Sequence, residues 1–284
     1  MQKPLTQLPT VTQPAPAPMP SLSWRGWLLA VGMAVSLWGT GLASSVRANS
    51  PEQAPAPLKE WLSQVDAAAN SRDLQKVMQY YSPNFTNTDG LNRRSLEQAL
   101  TQLWKRYPDL KYKTELKSWK TEGNSIVIET VTQLTGTQRS ENRQLKLVSS
   151  LRSQQRLDNQ QISRQEILAE QSQITSGQKP PTVKLTIPEQ VAVGEEFTFD
   201  AVVQEPLGDG LLLGAALEEP VRADGLINPT TTDLELLSAG GIFKVGRAPK
   251  TPESRWLSAV VVRQDGMTLV TQRLRVVNRQ GGRR

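Results

Sequence analysis

Tyr80-Tyr81-Ser82-Pro83-Asn84-Phe85-Thr86-Asn87-Thr88-Asp89-Gly90-Leu91-Asn92-Arg93-Arg94-Ser95-Leu96-Glu97-Gln98-Ala99-Leu100 is the stretch on which the fold turns. A helix ending at Tyr80-Tyr81 meets Ser82-Pro83, where proline cannot donate a backbone hydrogen bond and biases the residue before it away from helix. Asp89-Gly90 supplies a tight turn, since glycine tolerates positive φ and aspartate bonds nearby backbone. Ser95 then helps to start another helix. Leu96, Leu100, Leu103 and Trp104 share one face of it at spacings of three and four.

Upstream, Leu58, Trp61, Leu62, Val65 and Ala69 make an amphipathic helix, and Asp73 caps a second one carrying Leu74, Val77, Met78 and Tyr81. Downstream, Pro108-Asp109 ends the helical part. Strands are expected over Tyr112–Trp119, Ser125–Leu134, Leu145–Arg152 and Gln161–Gln173, with hairpin turns at Glu122-Gly123-Asn124 and Leu157-Asp158-Asn159. Two to three helices followed by a four-stranded antiparallel meander is an α+β arrangement, with helices on one face of a curved sheet.

On these residues the chain resembles the nuclear-transport-factor-2-like superfamily, which includes SnoaL-like polyketide cyclases and ketosteroid-isomerase relatives. Tyr81-Ser82-Pro83-Asn84-Phe85, Asp89-Gly90, Arg94-Ser95-Leu96, Arg106-Tyr107-Pro108-Asp109 and the closing strands carry the resemblance, over about residues 58–175. It implies a cone-shaped cavity roofed by helices, used in that superfamily by enzymes, binders and assembly domains alike. Trp61, Tyr81, Phe85, Trp104, Tyr107, Tyr112 and Trp119 are then the candidate lining for a ligand. The competing reading is that they fill a core, because aromatics bury large areas without a ligand to justify them.

The 284 residues contain neither Cys nor His. That removes Ser-His-Asp and Cys-His catalysis and His- or Cys-ligated metals. No cofactor, metal or catalytic residue is assigned. The superfamily's dehydratases use a His-Asp pair, which this chain cannot build, and its isomerases use a carboxylate base in an apolar pocket. A base here would have to be Asp66, Asp89, Glu129 or Glu166. Glu129 and Glu166 read as outward strand residues, and Asp89 as the residue that bends the chain.

Residues 1–24 form a Pro-rich tail, and 25–48 read as a signal peptide or membrane helix: Trp27 to Leu42 is uncharged and follows Arg25. Val46-Arg47-Ala48 offers a small-residue cleavage pattern, and 49–57 is a Pro-rich linker. Export to a periplasm, cell envelope or thylakoid lumen is the expectation, with membrane contact through 25–46 if the leader is kept. Three basic residues, Lys3, Arg25 and Arg47, stand in the leader without an acid, so half of the net charge of +6 belongs to it. Nucleic acid is therefore not the expected partner.

Beyond a second linker at 176–181, short strands and Gly-rich turns over 182–277 argue for an all-β sandwich, with residues 278–284 a basic tail. Pro188 to Gly194 followed by Phe197-Thr198-Phe199 resembles the opening of bacterial immunoglobulin-like domains. The leading functional reading is an exported, non-catalytic protein-interaction or assembly module, with a protein partner and a homodimer among its expectations. A carrier or sensor of a small apolar ligand is the alternative, and an isomerase- or dehydratase-type enzyme without His is the third. An open cavity lined by the aromatics favours the ligand; a filled cone favours assembly.

Overall fold

Short capping motifs set the helices. In the computed structural model, which describes residues 48–140, 143–206, 211–221, 233–237 and 240–279, α1 (Ala56–Asn70) carries Pro57 in its first turn, where no amide partner is needed. The Asp73 carboxylate accepts from the Lys76 amide to start α2 (Leu74–Gln79). The chain then extends as β1 (Tyr81–Asn87). Asn92 and Ser95 bond reciprocally in a capping box that opens α3 (Arg93–Arg106). The stretch quoted first thus contains a strand where only a break and a turn were expected, because Tyr81 to Asn87 finds a parallel partner far along the chain.

That partner belongs to a meander of four long strands, β2 (Lys111–Glu122), β3 (Ser125–Ser140), β4 (Arg143–Asp158) and β5 (Gln161–Gly177). All are antiparallel, as expected, and all run beyond the ranges read from the sequence. Gly123 turns the first hairpin at φ 61°, and Asn159 and Gln160 the last at 51° and 63°. Leu58, Trp61 and Leu62 of α1 pack with Phe85 onto Ile128, Leu157 and Ile162. A second cluster joins Ala68, Val77, Trp104, Tyr107 and Leu110. Helices therefore cover one face of the sheet.

The remaining strands are β6 (Val183–Thr186), β7 (Gln190–Ala192), β8 (Glu196–Val203), β9 (Leu213–Pro220), β10 (Glu235–Leu236), β11 (Gly241–Arg247), β12 (Glu253–Arg263) and β13 (Gly266–Val277). They bury a separate core of Phe197, Phe199, Leu257, Val261, Leu274 and neighbours between two layers. The layers differ from the self-contained immunoglobulin-like sandwich expected over 182–277. One is the three-stranded sheet β11-β8-β6, but the other continues the first part's sheet in the order β10-β9-β12-β13-β5-β4-β3-β2. Among the described residues that sheet has ten strands, β1 and β7 included. The physical reason is the length of β5: residues Gln171–Gly177 overrun β1 and would leave an open edge, which β13 closes residue by residue.

Two of the expected linkers are consequently structured. Ser176 and Gly177 end β5. Around the other, Asn49 exchanges backbone hydrogen bonds with Trp119 at 2.7 and 3.2 Å, and Trp119 Nε1 donates to the Ser50 carbonyl at 3.2 Å. Pro51–Gln53 is a single 3-10 turn and Ala54 is buried. The tail 1–24, the leader up to residue 47, and residues 280–284 lie outside the described residues. Among the described residues no helix is long and apolar enough to cross a membrane.

Gly177 is where β5 meets the β12–β13 hairpin. At φ 97°, a Cβ there would lie 2.3 Å from the Asp265 carbonyl oxygen. Gly177→Ala combines a strained backbone with a backbone collision, and urea unfolding should show a loss of about 3 kcal/mol. A loss under about 0.5 kcal/mol would mean that this junction is not a rigid part of the sheet.

Candidate ligand cavity

Between α1, α3 and the sheet lies a partly enclosed cavity of about 320 Å³. Its floor is one row across the sheet. Thr114 on β2 pairs with Thr132 on β3, Thr132 with Leu151 on β4, and Leu151 with Glu170 on β5. Glu170 and Arg273 lie one residue beyond the paired Gln171 and Gln272, and Arg273 pairs with Trp256 on β12. All six line the cavity. The floor is therefore built jointly by the meander and by the two strands that follow it much later in sequence.

The row depends on irregularities in β5. Ser153 pairs with Ile167 but Arg152 with Ala169, so Leu168 has no partner. That bulge reverses the alternation and brings Glu170 to the same face as Gln165 and Ile167, where strict alternation would have turned it outward. Sequence reasoning missed Glu170 for this reason. Nothing in the local residue pattern marks Leu168 as the unpaired one.

Of the seven aromatics named from the sequence, Trp61, Tyr81 and Tyr112 line the cavity. Phe85 is 2% exposed in the core below it, edge-on to Tyr81 with ring centroids 5.0 Å apart. Tyr107 is buried in the second cluster, and Trp119 packs at the far end of β2. Trp104 stands behind Tyr112 and donates Nε1–H to its hydroxyl at 2.9 Å. Tyr81 lines the cavity, and burial pushes its phenol up to about 12. Burial does the same to Tyr112, to about 12, against the lowering effect of the Trp104 bond. Both hydroxyls remain neutral donors at ordinary pH.

The carboxylates are arranged differently from their sequence reading. The turn at 87–90 is made by Asn87, whose side chain accepts from the Asp89 amide at 2.6 Å, and by Gly90 at φ 86°. The Asp89 side chain is thereby free to take Arg273 in a two-pronged pair, Nη1 to Oδ1 and Nη2 to Oδ2, both at 2.8 Å. Arg273 also donates Nε–H and Nη2–H to Glu170 Oε2 at 3.2 and 3.0 Å, and Trp256 Nε1–H reaches the same oxygen at 3.0 Å. The side chains of Arg273, Asp89 and Glu170 are 2%, 9% and 22% exposed. Burial disfavours the guanidinium charge, yet the Asp89 hydrogen bonds and the two carboxylate charges outweigh it and raise the Arg273 pKa.

Asp66 lines the cavity with both oxygens engaged by Thr114, Oδ2 by the amide at 2.7 Å and Oδ1 by the hydroxyl at 2.6 Å. Glu129 lies 3.9 Å from Arg152 and Glu166 2.8 Å from Arg275; neither lines the cavity. Among the described residues no group of three or more acidic side chains could hold a metal ion.

Residues 178–277 match a family model described as a domain of unknown function, DUF8623. A comparison with curated proteins finds no match. Structural neighbours of the chain are nuclear-transport-factor-2-like, SnoaL-like and ketosteroid-isomerase-like proteins, the superfamily named from the sequence. A Bdellovibrio bacteriovorus protein is 16% identical at TM-score 0.29, over 39% of this chain; the chain spans only 40% of that protein. A Shewanella putrefaciens protein assigned as a SnoaL-like polyketide cyclase is 11% identical at TM-score 0.32, over 40% of this chain and 90% of its own. A nuclear-transport-factor-2-like protein of unknown function from Cytophaga hutchinsonii is 11% identical at TM-score 0.25, over 40% and 91%.

Removing the guanidinium leaves two carboxylates against a cavity wall without their cation. Arg273→Met should cost about 3–5 kcal/mol in urea unfolding, and adding Asp89→Asn and Glu170→Gln should recover part of that loss. If Arg273→Met unfolds at the wild-type midpoint, the cluster does not hold the two parts together.

Proposed function

We propose that the protein binds a small, largely apolar molecule in this cavity. The observation that carries the reading is a partly enclosed space whose exposed surface is mainly apolar, with Leu, Val, Ile, Ala, Trp and Tyr residues supplying most of its lining and polar side chains set among them. Apolar walls with sparse, well-placed polar atoms are the usual form of a small-molecule site. Because the space is open, the ligand reading ranks ahead of the assembly reading that a filled cone would favour.

Two of the three carboxylates that line the cavity, Asp66 and Asp89, are committed to other groups, which favours a binding role over catalysis by either of them. A general base needs a free lone pair within reach of the proton it takes. Both oxygens of Asp66 are held by Thr114, and both of Asp89 by Arg273.

Export is part of the same reading, supported by the uncharged apolar run behind Arg25 and the small residues at 46–48. N-terminal sequencing of the protein recovered from its host should return Asn49 as the first residue after cleavage, or the intact leader in a membrane fraction. An intact leader in the soluble cytoplasmic fraction would refute export.

A larger side chain directed into the cavity should abolish binding without unfolding the protein. Ala99 on α3 lines the space. Titration with a neutral naphthylamine dye should give saturable fluorescence enhancement in the wild type, and Ala99→Phe should weaken it at least about tenfold, that is by about 1.4 kcal/mol. Equal enhancement in the filled variant would place the dye elsewhere and remove the support for the cavity as a binding site.

A further inference from the structure

The Arg273 cluster leaves a charge over. One guanidinium is shared by two carboxylates, so Arg273, Asp89 and Glu170 together carry one negative charge. The cavity lining as a whole repeats that imbalance: Asp66, Asp89 and Glu170 stand against Arg106 and Arg273. The excess has an address. The Trp256 and Arg273 donors reach Glu170 at Oε2 alone. Its Oε1 takes no donor from the described residues, and it is not among the buried atoms that lack a partner. Glu170, which lines the cavity, thus keeps one carboxylate oxygen without a donor among the described residues.

Two tryptophans complete the setting. Trp256 is held beside Glu170 by its own indole hydrogen bond, and Trp61 lines the same cavity with its Nε1–H committed to the Gln160 carbonyl at 2.9 Å. With both indole N–H groups occupied, what these rings can offer a ligand is their π surface, which attracts cations. A carboxylate oxygen in a weakly hydrated site attracts the same class of group more strongly than it does a neutral donor.

We propose that the cavity's ligand is a small apolar amine, bound as its ammonium ion with the charged nitrogen on Glu170 Oε1 and its apolar body among the leucines of α3 and the sheet. The proposal rests on the ligand-binding reading above and names the chemical class of that ligand. It also gives the second part of the chain a role in recognition, because Arg273 and Trp256 fix which oxygen of Glu170 is left open.

Three probes of nearly one shape separate the possibilities: phenethylamine, phenylethanol and phenylacetate, each titrated by calorimetry into the full-length protein near neutral pH. The amine should bind about tenfold or more tighter than the alcohol, with the carboxylate weakest. In Glu170→Gln, which keeps an oxygen for Arg273 and Trp256, the amine should lose its advantage over the alcohol. If the alcohol binds as well as the amine in the wild type, or phenylacetate binds best, the amine assignment fails and the cavity reading survives. If none of the three binds, the cavity reading fails and the amine assignment with it. The wild-type comparison decides the matter even should the variant not fold.

Discussion

The two-pronged contact between Arg273 and Asp89 joins residues 184 positions apart. It links the turn that closes β1 to a strand near the end of the chain. A buried guanidinium is tolerated only where its charge is matched and its donors are used. Here Asp89 takes two donors and Glu170 two more, so the cation, the turn and the floor of the cavity constrain one another. The Asp89 loop is also pinned to β5, through Thr88 amide to Gln165 carbonyl at 3.1 Å and Asn87 side chain to Gln165 side chain at 3.2 Å.

Sheet continuity follows from the same region. β13 lies against β5 because β5 is longer than its parallel neighbour, and Arg273 emerges from β13 just where that pairing ends. The close approach is kept by glycines. Gly177 sits against Asp265 and Gly266, and Gly266 against Pro180, where a Cβ would come within 2.6 Å of backbone. The two parts of the described residues are therefore one compact unit sharing one sheet, although each encloses its own hydrophobic core.

Much of the secondary structure was legible because its causes are local. Period-three-and-four stripes, the Asp73 cap and the Gly123 turn each follow from residues within a few positions of one another. The candidate site was legible only in part. Trp61, Tyr81 and Tyr112 reached the cavity, whereas Phe85, Trp104, Tyr107 and Trp119 went to core or support positions. Aromatic identity reports a tendency to be buried and does not distinguish facing a void from filling one.

Glu170, Arg273 and Trp256 could not be found along the chain. Glu170 faces inward because Leu168 is unpaired, and Arg273 and Trp256 meet it because two distant strands add to the edge of β5. Register and strand adjacency come from long-range pairing, which local patterns do not encode. What the sequence determined by itself was the kind of most elements, the lack of His and Cys chemistry, and the presence of a turn at Asp89-Gly90. Tertiary structure alone decided what that turn is for: Asn87 bends the chain, and Asp89, released from that task, holds the arginine that completes the cavity.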